Sequence, residues 1–104
     1  MSVKLFDKLV RDRIPEIIKK KGKACKFRIA DQDEYREKLK EKLLEECLEF
    51  ISDPCVEELA DIQEVVDALD LEFTWSSLKA AKEFKKITRG GFEEQIILEE
   101  VSED

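Results

Sequence analysis

The chain has 104 residues and a net charge of -7, with 26 acidic residues against 19 basic ones and no histidine. That balance is the wrong one for a protein that neutralises phosphates along a nucleic acid polymer. Without histidine there is no Ser-His-Asp or Cys-His nucleophilic site, no histidine-containing zinc site and no Glu-x-x-His di-iron site.

Gly22, Gly90 and Gly91 are the only glycines and supply no phosphate-cradling loop. Charged residues at 43% with so little glycine and proline describe a helix-rich chain, expected to be one domain over 1–104. At this size only about 60–65% of the unfolded surface is buried on folding, so the core is thin and a partner subunit is expected.

In chain order, the first dozen residues carry no clear periodicity. Pro15 suits the first turn of a short helix through Lys21, closed by Gly22. Cys25, Phe27 and Ile29 alternate with charged residues, the period-2 pattern of a short half-buried strand. Asp31 or Asp33 can cap a long helix to about residue 51. Asp53 and Pro54 are then expected to restart the chain as N-cap and first residue of a second long helix, ending near Leu71 or Phe73. Thr74 or Ser76 caps a third, over about 77–88, stopped by Gly90 and Gly91. The tail FEEQIILEEV reads as a short strand, the one candidate partner for Cys25–Ile29. The fold class is therefore all-α: an antiparallel helical hairpin plus a third helix, with a short two-stranded β element as an adjunct.

Cys25, Cys47 and Cys55 are odd in number and lack C-x-x-C spacing, which reads as reduced core cysteines in a cytoplasmic protein. No uncharged run is long enough to span a membrane, so no membrane partner is expected.

The chemistry lies in acids on the wrong face. On the first long helix Tyr35, Leu39, Leu43, Cys47 and Phe50 share an arc at about 100° per residue. Glu46 falls inside that arc, Glu49 at its border, and Glu45 further round toward solvent. On the second, Glu58 and Asp61 intrude among Ile62, Val65, Val66, Leu69 and Phe73. Acids are seldom buried without a partner. Each pair has i, i+3 spacing, and the two pairs are symmetric about the turn. An antiparallel hairpin then sets Glu49 opposite Glu58 and Glu46 opposite Asp61, all within roughly 6–12 Å of the turn. The arcs around them contain no Lys or Arg. Converging carboxylates without counter-charge call for a cation, and an all-oxygen set selects Mg²⁺, with Mn²⁺ as substitute.

The set Glu46-x-x-Glu49 and Glu58-x-x-Asp61, within LLEECLEF and VEELADIQEVVDAL, resembles the acidic motifs of MazG-like all-α nucleoside triphosphate pyrophosphohydrolases. The flanking KLVRDRIPEIIKKKG and RGGFEEQIILEEV are similar to the ends of a small phosphoribosyl-ATP pyrophosphohydrolase-like subfamily, so the resemblance covers nearly the whole chain. One departure is the linker: only eight residues separate Glu49 from Glu58, fewer than in many members. The resemblance implies Mg²⁺-dependent hydrolysis of a nucleoside triphosphate to monophosphate and pyrophosphate, as in clearing a nucleotide pool. Glu46, Glu49, Glu58 and Asp61 would be the metal ligands. Attack by water on an internal phosphorus needs no protein nucleophile, which suits a chain without histidine.

Glu45 then becomes the candidate to orient or deprotonate that water, beside its plainer reading as a solvated acid. Lys8, Arg11 and Arg89 are the candidates to hold phosphate. Glu64 stands one turn beyond Asp61, where a supporting role and plain exposure are both open. Trp75 and Phe92 read first as core and second as platforms for a base. Two apolar arcs exceed what one short third helix can cover, so a homodimer or homotetramer is expected to complete the bundle. Two rival readings are phosphoribosyl-ATP as the substrate in histidine synthesis, and a non-catalytic helical interaction module with outward-facing acids.

Overall fold

A computed structural model describes residues 2–73 and 77–103. The described residues are helical without a single strand: α1 (Ile14–Lys20), α2 (Gln32–Ser52), α3 (Val56–Phe73) and α4 (Leu78–Arg89). The chain divides into two compact units, Met1–Phe73 and Thr74–Asp104.

In the first unit, α1 opens with Pro15 in its first turn, where a missing N–H costs nothing. It ends one residue sooner than expected. The Gly22 amide donates to Lys19 O at 3.0 Å and the Lys23 amide to Ile18 O at 3.2 Å, with Gly22 at φ +79°. This is the left-handed closure glycine favours. No residue of α1 is buried. Residues 23–30 form no strand; Phe27 and Ile29 are exposed, and so is Cys25, contrary to its expected place in the core. Alternation alone cannot hold a strand, because an unpaired one leaves its backbone groups to water. Cys47 and Cys55 are half-buried, and all three thiols are free.

α2 starts where the sequence places it. The Asp31 carboxylate accepts from the Glu34 amide at 2.9 Å, satisfying one of the four unpaired N–H groups of the first turn. Arg28 fastens the incoming chain to this turn, its Nη2 lying 2.7 Å from Glu34 Oε2. The turn between the long helices differs from expectation. Asp53 closes α2, donating its amide to Glu49 O at 2.9 Å, and α3 begins only at Val56, with the Leu59 amide on Cys55 O. Pro54 disfavours helical backbone at the residue before it, so α2 stops at Asp53 (φ -142°, ψ 79°), which serves as its C-cap while α3 opens beyond it.

α2 and α3 pack against each other as an antiparallel hairpin. Gln32 and Arg36 meet Glu72 at the open end, while Glu46 meets Glu58 and Asp61 toward the turn. Among the described residues Leu39 and Val65 are the buried apolar ones, and Glu46 is buried with them. Leu44, Leu48 and Ile51 on α2, with Val56 and Leu59 on α3, stay exposed.

In the second unit Ser77 caps α4, accepting from the Ala80 amide at 3.1 Å, and Gly90 ends it at φ +84°. The expected caps Thr74 and Ser76 lie outside the described residues, as does Trp75. Leu78, Phe84 and Ile87 are exposed, and Phe92 is 96% exposed, so it is not a core residue. The tail 95–103 is not a strand, which removes the β element altogether from the described residues. No helix among the described residues is long and apolar enough to cross a membrane.

Candidate metal centre

The hairpin brings acids together as two groups that share Glu46. Glu46, Glu58 and Asp61 each offer a carboxylate oxygen such that all lie within 4.8 Å of one another, and Glu45, Glu46 and Glu49 do the same. Glu49 and Glu58 fall in different groups. Glu49 is exposed and stays with its own helix, while Glu46 reaches both acids of α3.

Glu46 is the pivot. It is 6% exposed, and burial pushes its carboxyl above the usual carboxylate range, opposed by Lys42 and reinforced by Glu49. Glu46 Oε2 and Glu58 Oε2 are both buried with no hydrogen-bond partner. Orphaned carboxylate oxygens are costly in a folded chain, and two of them in one cluster make a group that could hold a cation. An all-carboxylate donor set fits a hard divalent ion such as Mg²⁺ or Mn²⁺.

Basic residues do reach the cluster, contrary to the reading of arcs free of Lys and Arg. Lys42, one turn before Glu46 on α2, lies 3.2 Å from Glu46 Oε1 and 3.5 Å from Glu45 Oε2. Lys8 donates to Glu45 Oε1 at 2.7 Å, and Arg11 to Asp61 Oδ1 at 2.7 Å. The segment before α1 is therefore tied to both arms of the hairpin, to α2 by Lys8 and to α3 by Arg11. Lys42 escaped the sequence reading because the wheel singled out only intruding acids; its signal is the i, i+4 spacing to Glu46.

Glu45 is half-buried where the wheel points it toward solvent. Its hydrogen bond from Lys8 holds its carboxyl below the usual range, and the same bond raises the Lys8 ammonium. Neighbouring carboxylates are thus driven apart, Glu45 toward the ionised form and Glu46 toward the protonated one. An open groove of about 500 Å³ runs beside them, where Lys8, Lys42, Glu45 and Glu49 alternate with Leu44 and Leu48. Glu64 is exposed. Arg89 belongs to the second unit, exposed in the last turn of α4.

Comparison with protein-family models, with curated proteins and with solved structures finds no match to this chain.

Proposed function

We propose that the protein is a Mg²⁺-dependent pyrophosphohydrolase that converts a nucleoside triphosphate to its monophosphate and pyrophosphate. The observation that carries this reading is Glu46: nearly buried, with one oxygen unpartnered, beside Glu58 and Asp61. Glu46, Glu58 and Asp61 would hold the ion, with Glu49 adding charge at the rim. When bound, the ion supplies neutralisation of the phosphate chain, the largest electrostatic obstacle to attack at phosphorus.

The chain's own residues do the rest. Glu45, beside Glu46 and Glu49 at the cluster, is a proton acceptor for the attacking water. Lys8 and Arg11 sit beside the acids on an exposed segment, placed to exchange carboxylate for phosphate oxygens. Water attacks the α-phosphorus, the bond to the bridging oxygen breaks, and pyrophosphate leaves with the electron pair.

The apolar residues left exposed on α2, α3 and α4 support assembly as a homodimer or homotetramer in the cytoplasm, which light scattering tests. A panel of ribo- and deoxyribonucleoside triphosphates, with phosphoribosyl-ATP included, scored for pyrophosphate release in Mg²⁺, tests the activity and identifies the nucleotide. Pyrophosphate release from at least one member is expected. No turnover of any would favour a non-catalytic binding module instead.

A further inference from the structure

The two acid groups invite two ions, yet the side chains around them point to one. Five carboxylates take part: Glu45, Glu46, Glu49, Glu58 and Asp61. Three side-chain cations already touch them: Lys8 on Glu45, Arg11 on Asp61, and Lys42 on both Glu45 and Glu46. With all five ionised, as a bound ion requires of its ligands, the remainder is two negative charges, the charge of a single divalent ion.

The cations are also unevenly placed. Lys8 and Lys42 both serve the Glu45, Glu46, Glu49 group, while the Glu46, Glu58, Asp61 group has Arg11 at one end and both orphaned oxygens, Glu46 Oε2 and Glu58 Oε2. Lys42 is the most covered of the three, its side chain 16% exposed against 42% for Lys8 and 55% for Arg11. Its place on α2, one turn before Glu46, is fixed by the helix rather than by a loop. A compact ammonium on a long stem can occupy the space of a bound cation and satisfy acids on two sides.

We propose that the centre takes one divalent ion, at Glu46, Glu58 and Asp61, and that the Lys42 ammonium fills the cation position of the Glu45, Glu46, Glu49 group. Lys42 is thereby a positioning residue: it holds Glu45 and Glu46 side by side without a second ion and keeps Glu45 available to water. This rests on the metal-dependent reading above for the ion itself, and adds the count and the residue that sets it.

The test counts Mn²⁺ bound to the full chain without nucleotide, by calorimetry and by the free-ion electron paramagnetic resonance signal. Wild type is expected to bind one Mn²⁺ per chain, Lys42→Arg one, and Lys42→Gln two. Lys42→Gln should also melt lower than wild type in EDTA and recover more of its melting temperature when Mn²⁺ is added. Two Mn²⁺ of similar affinity in wild type, or any count other than two in a folded Lys42→Gln, overturns the proposal while leaving the metal centre in place. If Lys42→Gln does not fold, the wild-type and Lys42→Arg counts decide, since a second ion in either contradicts it. No Mn²⁺ bound by wild type removes the metal-dependent reading and this proposal together.

Discussion

Glu58→Gln separates an acid kept for a cation from an acid that merely packs. Glu58 is half-buried, with one oxygen buried and unpartnered and an oxygen of Glu46 at most 4.8 Å away. At an effective dielectric of about 20, two unit charges at that distance repel by about 3.5 kcal/mol. Partial solvent access and the nearby Lys42 reduce this to a net cost of about 1 kcal/mol in the metal-free protein. Glutamine keeps the shape and removes the charge, so in EDTA Glu58→Gln should melt about 4–8 °C above wild type, the shift expected for 1 kcal/mol in a domain this small. Metal reverses the order. At a concentration 100 times the dissociation constant, an ion stabilises the folded state by about 2.7 kcal/mol. Wild type should gain this in millimolar Mg²⁺, and the variant, short of one ligand, much less. Differential scanning calorimetry in EDTA and in Mg²⁺ reads both effects. A variant less stable than wild type by the same margin in both buffers would refute the reasoning, since Glu58 would then be a structural acid only.

Arg11→Gln removes the guanidinium from Asp61 and should tighten Mn²⁺ binding about two- to five-fold, as expected for an exposed ion pair, while weakening nucleotide binding. Calorimetry with each ligand checks both directions. Glu46 gives a pH dependence whose sign follows from its raised carboxyl. The proton bound in the folded state contributes stability that is fully present below the unfolded value of about 4.3 and is lost as pH rises through the raised folded value. In EDTA, urea midpoints should fall over that window for wild type, and Glu46→Gln should flatten this limb. Asp31→Ala loses the α2 cap and should cost about 1 kcal/mol, with metal binding unchanged because the cap lies at the far end of the helix.

The hairpin is legible because its three signals are local. Asp31 can cap, Pro54 must interrupt, and the apolar residues of α2 and α3 repeat at helical spacing. Glu46 is legible for the same reason, as an acid inside an apolar arc. Its burial, alongside only Leu39 and Val65 among the described residues, is what that intrusion predicts. The failures are non-local. Asp53 cannot be told from an N-cap by residue type, yet it closes α2 with its amide on Glu49 O while α3 opens only at Val56. The alternation at Cys25, Phe27 and Ile29 is real, but no paired strand exists to use it. Lys8 and Arg11 reach Glu45 and Asp61 across 37 and 50 residues of chain, which no wheel can show.

Hydrolysis in ¹⁸O-labelled water tests the central claim most directly. With Mg²⁺ and the nucleoside triphosphate that turns over, phosphorus NMR should find one labelled oxygen on the monophosphate and none on pyrophosphate, with Glu46→Gln and Asp61→Asn nearly inactive yet helical by circular dichroism. Label in pyrophosphate, release of diphosphate and free phosphate, or no turnover of any triphosphate would contradict the account.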